Sequence, residues 1–186
     1  MAEEQKVEEV EVVETVTEVV EEPAGAYSKE ELASLTKALG AVVLGAGMSE
    51  KDGAFGLMRE IVAAMRASAI YVGDSSNPLL KQIVTDTDPS DVDEAENKAK
   101  STPETAQKAV EDGIAAAKSS YDAVLSKGNA DDADAWAQLL LTAANAAVQA
   151  TKTGGFLGFG GEKVTPSEQE YMQRLAGTLG YKKETA

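Results

Sequence analysis

The sequence predicts an all-α protein, a bundle of four to five helices with a disordered acidic N-terminal tail. Apolar residues recur at intervals of three and four over several long windows, which is the pattern of a helix with one buried face. Residues suited to helix caps precede most of these windows. Outside the N-terminal tail, no window alternates apolar and polar residues for long enough to predict a strand, and aromatic residues make up only 5% of the chain.

The N-terminal segment differs from the rest of the chain in composition. Residues 1–22 contain nine Glu and one Lys, and Val is their main apolar residue. Because β-branched Val and crowded Glu make a poor isolated helix, residues 1–26 are predicted to be a disordered tail and linker. The alternative is a helix formed on a partner, since five valines fall near helical spacing: Val7, Val10, Val13, Val16 and Val20. A single helical domain is predicted over residues 27–182.

Two helices are predicted at the start of this domain. Ser28 and Glu31 have the spacing of a capping box, and the glycines at 45 and 47 are expected to end the first helix. Its predicted buried stripe consists of Leu32, Leu35, Leu39, Val42 and Ala46. The second helix is predicted from Ser49 to Gly73, with Arg59 and Arg66 on a face of their own. Its predicted buried stripe consists of Phe55, Met58, Val62, Met65, Ala69 and Val72.

A short apolar piece and three more helices follow. Asn77-Pro78 introduces the apolar piece over 79–84, and a mobile acidic spacer is predicted over 86–100. The next helices are predicted to begin at Thr102-Pro103, at Asn129 and at Thr165-Pro166, where Pro occupies the first helical position in two cases. The helix from Asn129 is rich in Ala, which indicates close contact with its neighbours. Its only Trp, Trp136, lies on the apolar stripe and is predicted to be core.

Composition excludes several functions. The chain has no His and no Cys, so the commonest general base, the thiol nucleophile and thiolate metal sites are all absent. We therefore expect no catalysis and no cofactor. The net charge of −15 repels nucleic acid and anionic lipid, and no basic cluster compensates it. The N-terminus lacks the pattern of a signal peptide, and no apolar run is long enough to span a bilayer. A cytoplasmic location is expected.

The glycine-rich run TGGFLGFGG, residues 153–161, is the most distinctive stretch of the sequence. It fails as a phosphate-binding loop, because Gly161 and Glu162 stand where a Walker A motif needs Lys and Ser or Thr, and no strand precedes it. Two hypotheses are left for its large side chains, Phe156, Leu157 and Phe159. Either they pack onto the end of the bundle, which is favoured, or they form an exposed patch that binds a protein partner or a second copy of the chain.

The acidic spacer is a candidate cation site. Its carboxylates include Asp86, Asp88, Asp91 and Asp93, the oxygen ligands that Ca²⁺ and Mg²⁺ prefer. Counted from the first of these, the EF-hand pattern is not met, because Asp91 and Asn97 occupy the positions of its Gly and Glu. A solvated linker is the favoured interpretation.

Two stretches resemble a family of small uncharacterised bacterial all-helical proteins. They are SKEELASLTKALGAVVLGAGMSEKDGAFGLMREIVAAM, continuing to NPLLKQIV, and GGFLGFGGEKVTPSEQEYMQRLAGTLG; the resemblance covers residues 28 to 181 and implies no activity. Residues 161–180, GEKVTPSEQEYMQRLAGTLG, also resemble TerB-like helical domains, although Gly160-Gly161 replaces the Asp-Gly of those domains. That resemblance implies a divalent-metal-binding stress protein, with ligands among the carboxylates of 86–96 and 162–170.

The sequence thus favours a non-catalytic interaction or structural protein, with partners that are proteins rather than nucleic acid or membrane. Metal binding of the TerB type is the alternative.

Overall fold

The computed structural model describes residues 27–49, 57–83, 102–150 and 164–181. In these ranges the chain forms six α-helices and no strand, which confirms the predicted all-α class. The helices are α1 (Lys29–Gly47), α2 (Leu57–Asp74), α3 (Pro78–Ile83), α4 (Pro103–Ser126), α5 (Ala130–Ala150) and α6 (Pro166–Thr178).

The predicted caps fix the starts of three helices. In α1 the Ser28 and Glu31 side chains each accept a hydrogen bond from the other residue's backbone N–H, and Thr165 and Glu168 do the same in α6. Thr102 caps α4 with Thr105 as its reciprocal partner. These boxes satisfy N–H groups that have no partner inside the helix, so helix starts are where sequence and structure agree most closely.

Helix α5 is the centre of the bundle. Its Ala-rich sequence lets neighbouring helices approach from several sides, and eleven of its residues are buried, among them Trp136, which confirms the core assignment. Helix α2 packs mainly on α5, and α1 packs mainly on α4 and also on α5. The apolar core draws side chains from all six helices.

The structure corrects the predicted orientation of α2. Val62 and Ala69, which were expected in the core, are exposed, while Ala64 and Ser68 are buried. The buried face includes Glu60 and Ser68, two polar residues that a search for apolar periodicity passes over. Small residues are favoured there because α5 presents a close-packed surface of Ala and Leu.

Candidate protein-binding groove

Two sets of predicted site residues fall outside the ranges that the structure describes. This holds for the large side chains of the glycine-rich run, Phe156, Leu157 and Phe159, and for the spacer carboxylates, Asp86, Asp88, Asp91 and Asp93. Their roles stay predictions.

A surface groove lies between α1 and α4. Its cavity volume is about 660 Å³, and it extends from Tyr27 to Ala41 on one side and from Asp112 to Lys127 on the other. The lining is mostly apolar. Leu35, Ala38 and Ala41 of α1 and Ala116, Ala123 and Val124 of α4 form this apolar lining. We call this depression the α1–α4 groove. The four alanines leave room there because their side chains end at Cβ.

A close contact of α1 with α4 lies just beyond one end of the groove. A Cβ placed on Gly113 would lie 2.9 Å from the carbonyl oxygen of Ala41 and 3.4 Å from the Cα of Gly45. The Tyr171 hydroxyl of α6 fills the remaining space and donates a 2.8 Å hydrogen bond to the carbonyl oxygen of Val42. Burial raises the pKa of this hydroxyl, so it stays protonated and remains a donor. The two helices are therefore fixed against each other at this end.

Polar side chains mark the other end of the groove. The Lys127 ammonium lies 2.8 and 2.9 Å from the two carboxylate oxygens of Glu31 and 5.2 Å above the ring centre of Tyr27. The hydrogen bond from Lys127 lowers the pKa of Glu31, as does the one from the Ser28 backbone N–H. Glu31 thus serves both the cap of α1 and the ion pair with the residue that follows α4.

Asp132 joins three segments behind this polar end. Its carboxylate accepts a 3.2 Å hydrogen bond from the Tyr27 hydroxyl and a 2.7 Å hydrogen bond from the Asn77 side chain. Its backbone N–H donates to the side chain of Asn129, the residue before α5. Desolvation raises the pKa of Tyr27, and the adjacent Asp132 carboxylate adds to that rise. This buried acid therefore holds the starts of α1, α3 and α5 together.

The other two buried acids also lie at the ends of helices. Glu168 belongs to the cap of α6, and Glu60 of α2 lies against Gly47 at the end of α1. Within the four described ranges, no three acidic side chains are grouped so that they could hold a metal ion. The groove itself offers an apolar surface between polar ends.

The sequence did not reveal this groove. Its apolar lining consists largely of alanines that count toward neither a buried stripe nor a chemical motif, and α1 and α4 are separated by more than fifty residues. The only available signal was the excess of small residues on both helices.

No helix in the described part of the chain is long and apolar enough to cross a membrane. No family model, no curated protein and no solved structure matches this chain.

Proposed function

We propose that the protein is a non-catalytic interaction protein that binds an amphipathic helix of another protein in the α1–α4 groove. The observation that carries this proposal is the 660 Å³ groove with its mainly apolar lining. Docking an amphipathic helix into such a groove is a common way of recognising a partner. The proposal keeps the cytoplasmic location expected from the sequence.

The length of the groove fits a helical partner. Along α1 it runs from Tyr27 to Ala41, which corresponds to about 20 Å at the rise of an α-helix. A partner helix of about four turns would cover this length and bury a row of apolar residues spaced by three and four.

Charge favours a basic partner. The lining carries three acidic side chains, Glu30, Glu31 and Asp112, and two basic ones, Lys37 and Lys127, and the whole chain has a net charge of −15. A cationic helix is therefore attracted to this protein, whereas an acidic one is repelled. This complementarity should appear mainly in the association rate and in its dependence on salt.

A designed peptide tests the proposal. The probe is a four-turn helix with Leu on one face and Lys and Arg on the other, titrated into the isotope-labelled full chain and followed by NMR. We expect saturable shifts of amides along the groove. Ala123→Trp, which fills the groove from an exposed position, should weaken binding at least about tenfold, or about 1.4 kcal/mol.

Ala115→Trp is the matched control, because Ala115 is also exposed on α4 but does not line the groove. The proposal fails if binding does not saturate, if the shifts lie on another face, or if both variants weaken binding equally.

Self-association is the other form that a protein interaction would take here, with Phe156, Leu157 and Phe159 as its predicted contact residues. The mass in solution of Phe156→Ser/Phe159→Ser, compared with that of the wild type, tests it. Loss of association at unchanged melting temperature supports an interface, and a drop in melting temperature supports packing onto the bundle.

The TerB-type alternative has a direct test as well. Calorimetric titration of the full chain with Ca²⁺, Mn²⁺ or Mg²⁺ should give no heat and no shift in melting temperature if the protein is solely an interaction protein. Saturable heat, together with a higher melting temperature, would support metal binding instead.

A further inference from the structure

Helix α2 carries an apolar and basic stripe that faces away from the bundle. Ala64, Ser68 and Val72 face the core, and the opposite face presents Arg59, Val62, Arg66 and Ile70 at spacings of three and four. Val62 is 39% exposed and Ile70 is 66% exposed, the latter being the highest value of any exposed large apolar side chain in the described ranges. We call these four residues the outer stripe of α2. Covering the Val62 and Ile70 side chains with another segment would remove apolar surface from water.

The arginines of this stripe have no acidic partner among the described residues. Neither guanidinium lies within 4.0 Å of a carboxylate there, in contrast to four other basic side chains that each form an ion pair. Lys81 of α3 adds a third cation at the end of α2, where its ammonium lies 3.4 Å from the carbonyl oxygen of Gly73. Asp74, four residues after Ile70, is also exposed at this end, so the surface carries three cations and one carboxylate. This excess of positive charge, in a chain of net charge −15, favours an acidic occupant.

We propose that residues 10–22 of this same chain bind along the outer stripe of α2 as an amphipathic helix. In a helix, the valines of this segment share one face, and the glutamates lie on the other face and along one edge of the valines. The contacting valines are Val10, Val13, Val16 and Val20. They cover Val62 and Ile70, and the long side chains of Arg59 and Arg66 reach the glutamates at that edge. The α1–α4 groove stays open for a partner.

The position of Tyr27 places the start of the described structure near the end of α2. Tyr27 and Asn77 both bind the Asp132 carboxylate, at 3.2 and 2.7 Å, and Asn77 follows shortly after Asp74, the last residue of α2. The segment therefore enters the described structure at the end of the bundle where α2 finishes. Residues 23–26, which span up to about 14 Å when extended, connect the segment to this end of the bundle.

The segment of residues 10–22 also matches the outer stripe of α2 in length and in chain direction. Both segments run toward the Tyr27 end, so the bound helix is parallel to α2. Val10 to Val20 covers about 15 Å of helix, and Arg59 to Ile70 covers about 16 Å. Tyr27 lines the α1–α4 groove, so that groove is also within reach, but its charged lining consists of three acids and two lysines, whereas the outer stripe carries two arginines. Charge therefore selects α2 over the groove.

Because the chain has no Cys, a single nitroxide label tests the proposal in the full-length protein. With the label on Glu18→Cys, the amides around Arg66 to Ile70 should lose most of their NMR intensity. With the label on Glu11→Cys, the loss should move to the amides around Arg59 and Val62. Absence of broadening on α2, broadening along the α1–α4 groove instead, or the reverse order of the two labels would overturn the proposal.

Charge reversal supplies the matched control. Arg59→Glu/Arg66→Glu should abolish the broadening, while Lys108→Glu/Lys118→Glu, which changes the net charge equally from exposed positions on α4, should leave it intact. Equal loss in both variants would overturn the specific contact. Broadening that appears when labelled chains are mixed with separate isotope-labelled chains would show that the occupant is the segment of a second copy, and it would overturn binding within one chain.

Discussion

The contact of Gly45 with Gly113 leads to a prediction about the sign of four Gly→Ala substitutions. A Cβ on Gly113 would lie 2.7 Å from the Tyr171 hydroxyl and 2.9 Å from the backbone oxygen of Ala41, both closer than real Cβ atoms approach such groups. A Cβ on Gly45 meets the same hydroxyl at 2.7 Å and the Ala109 oxygen at 2.9 Å. By contrast, nothing lies within 4 Å of a Cβ on Gly40 or Gly177.

Two opposing effects determine whether each Gly→Ala substitution raises or lowers the free energy of unfolding. Ala gains about 1 kcal/mol over Gly from helix propensity, and this gain applies at every one of these helical positions. At Gly113 overpacking costs about 1–3 kcal/mol, and displacing the Tyr171 hydrogen bond to Val42 costs about 1 kcal/mol more. Gly113→Ala should therefore be destabilised by about 2 kcal/mol net, while Gly40→Ala should be stabilised by about 0.5–1 kcal/mol.

Thermal unfolding followed by circular dichroism measures these changes. For a chain of this size, 1 kcal/mol corresponds to about 2–4 °C, so Gly45→Ala and Gly113→Ala should each lower the melting temperature by about 4–8 °C. Gly40→Ala and Gly177→Ala should raise it by about 1–4 °C. Equal stability of Gly113→Ala and Gly40→Ala would refute the close contact of α1 with α4 at Gly113.

A double-mutant cycle checks the cause. Tyr171→Phe removes the hydroxyl that the new methyl group would meet, so Gly113→Ala/Tyr171→Phe should be destabilised by less than the sum of the two single variants. Strict additivity would mean that the hydroxyl is not what limits the space.

Two further predictions concern buried and paired polar groups. Ser120→Ala removes the acceptor of the 3.0 Å hydrogen bond from the indole N–H of Trp136, so a denaturant titration should show a loss of about 1–3 kcal/mol in the free energy of unfolding. Ser119→Ala, at an exposed site, should lower this free energy by almost nothing. Similar losses in the two variants would contradict the buried hydrogen bond. Because Lys127 lowers the pKa of Glu31 in the folded chain, the charged carboxylate stabilises the fold above its unfolded pKa, and this contribution is lost as the pH falls through the lowered folded pKa. The melting temperature of Glu31→Gln should therefore fall less than that of the wild type between about pH 5 and pH 3, and equal slopes would show that the ion pair does not contribute.

Helix existence and helix starts were predictable because both are local. A cap such as Ser28 with Glu31 involves neighbours three residues apart, and the apolar stripe of α5 repeats within a single helix. Neither needs knowledge of the rest of the fold.

The buried face of α2 and the α1–α4 groove were not predictable, because both depend on contacts between residues far apart in the sequence. On α2 the buried face includes the polar residues Glu60 and Ser68, so apolar periodicity alone favours the wrong face. The α1–α4 groove requires knowing that these two helices are adjacent, which periodicity within either helix does not encode. The same limit applies to Asp132, whose partner Tyr27 lies 105 residues away.

The long sequence separations of these contacts affect how the protein folds during synthesis. Val42 of α1 binds the Tyr171 hydroxyl 129 residues later, and Glu31 pairs with Lys127, 96 residues later. Helix α1 therefore leaves the ribosome long before any of these partners exist, and its apolar face stays uncovered for most of translation. Contacts this distant slow folding and extend the time in which unfinished chains aggregate. Because α4 and α5 cover most of α1, an unfinished chain needs protection from aggregation until both of these helices have left the ribosome.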